Sequence, residues 1–519
     1  MSTRRSDIFF EDVSESLGRQ TARSGVVALV SNEIQMVLGI GTTLVLVRIL
    51  EPEDFGVFAI AWVVVQLIAT VRDVGISTAI VNTENLTREK VSGLFWSGQV
   101  MNLLVTSVIA LLGPILGGFY GMEELALLMP TVALASLLTG FTSVHDGLLK
   151  RRLYFGTVAA KDISGMAAGA VAAVVVAVMG YGVWALAAQQ LAQSGARLVV
   201  CVFSTRWFPS NPVSSFKAAR RESELIWHGV RLSLSKCIGT LGTSADRLIL
   251  GGLVGDRMLG FYQQAYVWSE FPSRQVYFPM MGVVIAAFSR KQDAEDGSYP
   301  AGFRQAVLVL YAIAIPMLVF GVIRSELVIG VLLGEQWVEA APFFSILCVA
   351  MLFRLIIQAG KWVFLAESRS NDQLVWTLVF VPVLVTGAAV GAFRGEAVGV
   401  SVAVLFVHAA AAPFAVWMSC RGSQIRPRDM LMPALRPMLA SAVASAPVMF
   451  LGLNTDSYQA SVLALCLGVA VFMLCNAIAW FIPGKGRDEL RACLEHLSPR
   501  LASMLGTSVR HRGGSGLVS

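Results

Sequence analysis

Long apolar stretches alternate with short polar segments along most of the chain. From Ser24 to Pro483 the apolar runs recur at a length close to the roughly 20 residues that one helical membrane crossing needs. The outer polar segments between them are each about one turn long. The pattern predicts an all-α polytopic membrane protein with about 14 transmembrane helices. The predicted crossings are 24–48, 56–82, 89–118, 123–149, 156–179, 182–204, 226–253, 258–288, 301–324, 339–366, 371–393, 396–420, 432–453 and 458–482.

The sequence also repeats itself. The segment "RILEPEDFGVFAIA" (48–61) matches "GLVGDRMLGFYQQA" (252–265), so that Gly56 corresponds to Gly260, 204 positions later. A repeat inside a membrane protein is typical of a transporter whose pathway lies between the two copies. We therefore expect two related halves.

Charge placement supports this topology. Charged residues form 14% of the chain, against roughly 25% in a soluble domain. If the N-terminus is cytoplasmic, the inner loops and the tail carry about 27 Lys and Arg residues and the outer loops about 2. The sorting predicts that both termini are cytoplasmic and that the two halves are parallel copies. The net charge of +6 is attributed to anchoring charges on one membrane side, and no nucleic acid partner is expected.

Several segments, taken in order, resemble a known family. They are "RILEPEDFGVFAIA" (48–61), "DVGISTAIV" (73–81), "LLKRRLYF" (148–155), "GYGVWALAAQQL" (180–191) and "SADRLILGGLVGDRMLGFYQQAYVW" (244–268). With the repeat, they resemble the Wzx-type flippases for lipid-linked oligosaccharides, and within these the exopolysaccharide exporters of the colanic-acid and succinoglycan kind. Their superfamily, called MOP, also contains the multidrug (MATE) exporters and the peptidoglycan-precursor flippase.

The resemblance implies two parallel six-helix lobes around a central cavity, plus two C-terminal helices. It also implies that an undecaprenyl-diphosphate-linked oligosaccharide moves from the inner to the outer leaflet of the cell inner membrane by alternating access, coupled to an ion gradient or the membrane potential. Besides membrane lipid, polysaccharide polymerase and co-polymerase proteins are candidate partners. No cofactor is expected, and the protein is not expected to be an enzyme.

The domain boundaries follow from the crossings and the lobes. We predict a cytoplasmic N-terminal segment (1–23), an N-lobe (24–204), a cytoplasmic linker (205–225), a C-lobe (226–420), a final helix pair (432–482) and a cytoplasmic tail (483–519).

Ionisable residues inside the crossings are the candidate functional residues, because a charge at the bilayer centre costs about 2.5–3.5 kcal/mol. About eleven are basic and six acidic, Asp162 and Glu270 among the latter. The candidates for a cationic cavity that binds the substrate's diphosphate are Arg231, Lys236, Arg247, Arg274, Arg354 and Lys361. The candidates for ion coupling are Glu33, Asp73, Asp146 and Asp246. No metal site is predicted.

Helical spacing refines these candidates. Lys236 and Arg247 lie about three turns apart, and Arg354 and Lys361 two turns apart, so each pair shares a helix face. Fixed cations on such a face can replace the hydration of a diphosphate. For basic residues near helix ends, snorkelling to the membrane surface is the alternative. Adjacent opposite charges such as Asp246-Arg247 are expected to point to different faces and not to pair, and an interhelical clamp is the alternative role for Asp246.

Two other functions compete with lipid-linked sugar transport. A MATE-like ion-coupled antiporter of small molecules is expected to place carboxylates in its cavity, because its substrates are cationic, whereas here the bases are in excess. A periplasmic polymerase or ligase would need catalytic groups on a sizeable outer loop, and the outer loops are short. The sequence shows neither closely spaced cysteines typical of a metal site nor an ATP-binding glycine loop.

Overall fold

The structure is a computed structural model that describes residues 17–72, 80–81, 86–210, 239–242, 244–289, 298–450 and 458–481. Within them every regular element is a helix. The helices are α1 (Leu17–Ile49), α2 (Pro52–Arg72), α3 (Arg88–Tyr120), α4 (Leu125–Arg151), α5 (Phe155–Val178), α6 (Trp184–Thr205), α7 (Asp256–Ser289), α8 (Ser298–Ile323), α9 (Ser325–Leu332), a 3₁₀ segment (Glu335–Ala340), α10 (Ala341–Ala366), α11 (Ser370–Cys420), α12 (Pro427–Phe450) and α13 (Tyr458–Phe481). Residues 244–254 are helical as well.

The described helices support the expected multi-pass membrane protein. Nine helices or helix runs in the described part of the chain are long and apolar enough to cross a membrane. Most begin and end within a few residues of a predicted crossing; α3, for example, spans Arg88–Tyr120 where 89–118 was predicted. The count of 14 stays a prediction, because the crossing 226–253 lies partly outside the described residues.

The 51-residue helix α11 covers two predicted crossings. Its backbone leaves the helical conformation at Gly395 and Glu396, and Glu396 has φ 51° and ψ −133°. A Cβ atom placed on Gly399 would lie 2.1 Å from the carbonyl oxygen of Gly391. Residues eight positions apart in a straight helix are about 12 Å apart, so the chain folds back here. The predicted turn at this position is confirmed.

Contacts between residues divide the chain into two compact units. The first unit comprises Met1–Gln264, Leu332–Trp337 and Val381–Val400. The second unit comprises Ala265–Val331, Val338–Phe380 and Ser401–Ser519.

In the first unit, α4 packs against α2, α3 and α6, and α5 packs against α1 and α6. The contact between α5 and α6 is close because Gly165 and Gly169 face the α6 backbone. A Cβ atom at Gly169 would lie 2.9 Å from the carbonyl oxygen of Gln189, and one at Gly165 would lie 3.0 Å from that of Gln193. Small residues four positions apart let membrane helices approach closely where lipid supplies no hydrophobic driving force.

The sequence repeat reappears as a reciprocal contact in the first unit. A Cβ atom on Gly56 of α2 would lie 1.9 Å from the carbonyl oxygen of Asp256, the first residue of α7. A Cβ atom on Gly260 of α7 would likewise lie 1.9 Å from the carbonyl oxygen of Pro52, the first residue of α2. Pro52 and Asp256 are 204 positions apart, as the two glycines are. Equivalent residues therefore exchange equivalent contacts where the two helices begin. We call this contact the glycine crossing.

The 3₁₀ segment lies beside the glycine crossing and was expected from the sequence only as a short turn. Trp337 is fully buried, and its indole nitrogen donates a 2.7 Å hydrogen bond to the carbonyl oxygen of Val47 near the end of α1. The rings of Phe55 and Phe261 meet the Trp337 ring edge-on, with centroid distances of 5.3 and 5.8 Å. Trp337 thus joins α1, α2 and α7, which a solvent-exposed turn would not do.

In the second unit, α8 packs against α10, α12 and α13. Phe320, Val448 and Phe472 are buried together between α8, α12 and α13. A separate cluster that contains Phe364 and Trp376 joins α10 to α11. These contacts hold α10, which carries two of the candidate residues.

We expect Gly56→Ala and Gly260→Ala each to destabilise the protein by about 1–3 kcal/mol, the usual range for a methyl group forced into a filled site. The backbone carbonyl that the methyl group meets cannot move aside as a flexible side chain would. The measurement is thermal unfolding of the purified protein in detergent. Gly41→Ala is the matched control, because nothing lies within 4 Å of a Cβ atom at that helical glycine. Equal stability of the Gly56→Ala and Gly41→Ala variants would contradict the close crossing.

Candidate functional site

A cluster of charged side chains from α7 and α10 lies in the second unit. Nη2 of Arg354 is 2.6 Å from Oε1 of Glu270. Nη1 of Arg354 donates a 2.6 Å hydrogen bond to the hydroxyl of Tyr266. Nη1 of Arg274 lies 4.0 Å from the other carboxylate oxygen of Glu270, one turn along α7. The side chains of Arg354 and Glu270 are 18% and 15% exposed, so this is a largely buried pair, whereas Arg274 is exposed.

Lys361 completes this cationic cluster, which we define as Arg274, Arg354 and Lys361 with Glu270. Lys361 is half-buried and close enough to Arg354 and Glu270 to interact with both electrostatically. Within the described residues, Lys361 makes no hydrogen bond or ion pair. His408 of α11 is buried nearby, where it interacts electrostatically with Arg354 and Lys361, and its Nδ1 lies 2.8 Å from the carbonyl oxygen of Val404.

Contacts at helical spacing set Glu270 opposite Arg354. One turn further along each helix, the hydroxyl of Ser273 donates a 2.7 Å hydrogen bond to the side-chain oxygen of Gln358. One turn beyond that, the rings of Tyr277 and Trp362 stack in parallel, 5.2 Å apart. On α7 and on α10 these residues recur every three or four positions, so they lie on one face of each helix. The packed polar and aromatic pairs therefore hold the charged pair in register.

The charge balance of the cluster determines what it can bind. Among the described residues the cluster holds three cations and one carboxylate, so these four side chains carry a formal charge of +2. This excess attracts an anion, most strongly at Arg354 and Lys361, which are less exposed to solvent than Arg274. Arginine offers paired donors that match phosphate oxygens, and lysine offers a compact charge with three donors. The cluster is therefore suited to a phosphate-containing group.

The structure brings together three of the six cationic candidates, namely Arg274, Arg354 and Lys361. Arg231 and Lys236 lie outside the described residues. Arg247 belongs to the first unit, where its Nε is 3.5 Å from Oδ1 of Asp246 and its Nη2 is 3.3 Å from the hydroxyl of Ser244.

The expectation that neighbouring opposite charges do not pair is wrong at two places. Asp246 contacts Arg247, and Lys161 lies 3.5 Å from Asp162. Long basic side chains can curl along their own helix, which the direction of the Cβ atoms alone does not reveal. Asp246 is buried and also accepts a 2.7 Å hydrogen bond from the hydroxyl of Tyr262.

Two of the ion-coupling candidates therefore have basic partners. Asp146 contacts Lys150 and Lys161, each at 2.5 Å. Lys161 connects this pair to Asp162, whose Oδ1 is 3.4 Å from Nε of Arg197. We call these five residues the ionic network; it joins α4, α5 and α6 inside the first unit.

Of the other two coupling candidates, Glu33 is exposed on α1, and Asp73 lies outside the described residues. Among the described residues, no group of three or more His, Cys, Asp and Glu side chains is placed to hold a metal ion.

Glu270 was among the acidic residues predicted inside the crossings, but the sequence analysis assigned it no role in the cationic site. The contact of Glu270 with Arg274 could have been predicted, because the two residues are one helical turn apart in a predicted crossing. The pairing with Arg354 depends on how α7 packs against α10, and one sequence does not carry that information. The same holds for Tyr266 and for the position of His408.

Similar curated proteins share most of their length with this chain. The succinoglycan biosynthesis transport protein ExoT of Rhizobium meliloti is 26% identical over 79% of this chain and 82% of its own. The lipopolysaccharide biosynthesis protein WzxC of Escherichia coli is 24% identical over 76% and 79%. The teichuronic acid biosynthesis protein TuaB of Bacillus subtilis is 24% identical over 59% of this chain and 63% of its own, so that match spans less than two thirds of the relative.

Solved structures share the fold. A lipid II flippase MurJ in an inward closed conformation superposes with a TM-score of 0.67 at 10% identity, over 88% of this chain and 99% of that one. An inward-facing multidrug resistance MATE transporter of the MOP superfamily gives 0.59 at 14% identity, over 76% and 98%. The chain therefore shares the fold of these transporters. The family model described as "Polysaccharide biosynthesis protein" matches residues 45–342, more than half of the sequence, and the chain therefore belongs to the polysaccharide biosynthesis protein family.

Proposed function

We propose that the protein moves an undecaprenyl-diphosphate-linked oligosaccharide repeat unit from the inner to the outer leaflet of the cytoplasmic membrane, by alternating access, for exopolysaccharide or lipopolysaccharide synthesis. The observation that carries this proposal is the cationic cluster, in which three bases share one carboxylate inside the membrane helices. Two similar proteins, a succinoglycan transport protein and a lipopolysaccharide biosynthesis protein, agree with it.

The chemistry of the cargo matches the cluster. A diphosphate loses its hydration when it leaves the membrane surface, and charged donors must replace that water. Lys361 is the readiest donor, because within the described residues no carboxylate is paired with it. Arg274 and Arg354 can add donors from the facing helix. The step makes and breaks no covalent bond, so we assign no catalytic residue and no cofactor.

The alternative is a MATE-like ion-coupled antiporter of small molecules, a class with the same fold. Such a site for cationic substrates should have an excess of carboxylates, whereas the cluster around Glu270 has an excess of two positive charges. The cluster therefore favours an anionic cargo over a cationic one.

For the membrane orientation, we propose the inner membrane with both termini in the cytoplasm. The support is the sorting of basic residues between the two sides in the sequence. The two-lobe organisation with domain boundaries at 24–204, 226–420 and 432–482 belongs to the same proposal. Polymerase and co-polymerase proteins are the proposed partners, because they act on the delivered repeat units.

Coupling to an ion needs a carboxylate that is available to the ion. Asp146 already has two lysine partners, and Asp246 has Tyr262 and Arg247. These contacts favour a structural role for both. Glu33 and Asp73 stay as coupling candidates.

We expect Lys361→Gln and Arg354→Gln each to lower polysaccharide export by about 10- to 100-fold, the effect of losing one charge-assisted contact worth about 1.5–3 kcal/mol. Export is measured in a strain that lacks the chromosomal copy, together with the lipid-linked intermediate that accumulates inside. Arg394→Gln is the control, because it removes one positive charge from an exposed residue that is not part of the cluster. Normal export in both cluster variants, at normal membrane levels, would contradict the proposed site.

A fluorescent reporter fused after Ser519 should fold in the cytoplasm, and alkaline phosphatase fused at the same point should be inactive, because the sorting of basic residues predicts a cytoplasmic C-terminus. The comparison of the two fusions is the measurement. Active phosphatase with a dark fluorescent fusion would overturn the orientation.

Asp146→Asn should destabilise the protein by about 3 kcal/mol or more, because Lys161 then loses its closest carboxylate in a largely buried site. The double variant Asp146→Asn with Lys161→Met should recover most of this loss, since it removes both charges. Thermal unfolding measures stability, and export is assayed alongside. If the double variant recovers both stability and export, Asp146 has a structural role as an interhelical clamp. If it recovers stability but not export, the structural role is contradicted and Asp146 is again a candidate to bind the coupling ion.

A further inference from the structure

We propose that Glu270 is an internal counter-anion. Its carboxylate pairs with Arg354 while the site is empty, and the cargo's diphosphate displaces it when the cargo binds. The inference rests on the proposed function, because it concerns the same cationic cluster. It assigns to Glu270 a role in specificity and release: the carboxylate sets how many negative charges a cargo must bring and how easily the cargo leaves.

The geometry places Glu270 where an anionic ligand would compete with it. One carboxylate oxygen lies 2.6 Å from Arg354, the other lies 4.0 Å from Arg274, and Lys361 is within electrostatic range. Among the described residues, Glu270 is the carboxylate that contacts these cations. An anion that uses the same cations must therefore share them with Glu270 or replace it.

Arg354 is prepared for such an exchange. Its second terminal nitrogen stays bonded to the hydroxyl of Tyr266, and its guanidinium lies over the Tyr266 ring, 5.9 Å from the centroid. The guanidinium therefore keeps its position when the carboxylate moves away. Pro272 lies between Glu270 and Arg274 inside α7, where its ring removes one backbone hydrogen bond and so permits local bending.

The energetic argument compares the empty and the loaded site. A largely buried arginine without a partner is strongly destabilising, so the empty site needs an anion of its own. A diphosphate that met three unpaired cations would bind too tightly to leave, and transport requires a site weak enough to release its ligand. Glu270 weakens the site by competition and returns to Arg354 as the cargo departs.

The competition also produces selectivity. A monoanion that replaces Glu270 exchanges one negative charge for another and gains little. A diphosphate brings at least two charges and can satisfy Lys361 and Arg274 as well as Arg354. Undecaprenyl phosphate carries about 1.5–2 negative charges at neutral pH and the diphosphate carries more, so the carboxylate favours the diphosphate lipid.

The experiment measures binding of undecaprenyl diphosphate and undecaprenyl phosphate to the full-length protein in lipid nanodiscs. We expect Glu270→Gln to bind the diphosphate about 5- to 100-fold more tightly, the usual range for coupled sites, and to release it more slowly. Its preference for diphosphate over monophosphate should fall, and export should slow. Glu270→Asp keeps the charge and should restore part of the competition.

Glu367→Gln is the matched control. Glu367 is a carboxylate of the same unit that contacts Arg369 at 3.3 Å and the hydroxyl of Tyr299 at 3.0 Å, outside the cluster. Its substitution should leave the affinity for both lipids unchanged. A tightening of equal size in this variant would mean that Glu270 has no special role and would overturn the proposal.

The double variant Glu270→Gln with Arg354→Gln addresses loss of folding, because it removes both members of the pair. In the Arg354→Gln background, the further change Glu270→Gln should tighten binding less than it does in the wild-type background. A full effect there, or unchanged or weaker binding in folded Glu270→Gln, would overturn the counter-anion role. If Lys361→Gln and Arg354→Gln leave diphosphate binding unchanged, the proposed function itself fails.

Discussion

The close approach of two helix starts at Gly56 and Gly260 is the constraint on which the first unit depends. Neither position has room for a single methyl group, since each faces a backbone carbonyl of the other helix. Phe55 and Phe261 each lie next to this contact, in the first turns of α2 and α7. The close approach of the two helices therefore places both rings against Trp337. Trp337 in turn reaches the carbonyl oxygen of Val47, so α1 is joined to the same point.

Charges inside the membrane helices serve two different purposes in the two units. In the ionic network of the first unit, the three bases and two acids are linked in one chain of ion pairs, and three helices are held together by it. In the second unit, three bases lie around Glu270, and we propose that their excess charge binds the cargo. The two groups differ in how their charges are shared: each acid of the ionic network contacts two bases, whereas in the second unit one acid serves all three bases.

The sequence was sufficient for the features that depend on one helix at a time. Apolar length located the ends of most described helices, and the turn at Gly395 followed from a short polar interruption. Spacing along α10 placed Arg354 and Lys361 together. Features that depend on two helices were missed, because one sequence does not say which faces meet. The pairing of Glu270 with Arg354 and the burial of Trp337 belong to this class.

The sequence also misled where side-chain length matters more than direction. Lys161 reaches the carboxylate of its own neighbour because four methylene groups let it turn back along the helix. The repeat was different, since it predicted corresponding positions without predicting that those positions touch. In the structure Gly56 packs against the carbonyl of Asp256, and Gly260 packs against the carbonyl of Pro52. The two copies of the repeat therefore touch at equivalent positions.

The glycine crossing has a consequence for the symmetry of the chain. A contact in which residue i of one copy meets residue j of the other, while j of the first meets i of the second, is the arrangement of an isologous interface in a two-fold dimer. Here both copies lie in one polypeptide, and Pro52 with Gly260 mirrors Asp256 with Gly56. One chain thus contains a contact with the symmetry of a homodimer interface. Because both sides lie in one polypeptide, equivalent positions are free to differ: Glu53 and Arg257, 204 positions apart, carry opposite charges and pair at 2.9 Å, which two identical subunits could not do at these positions.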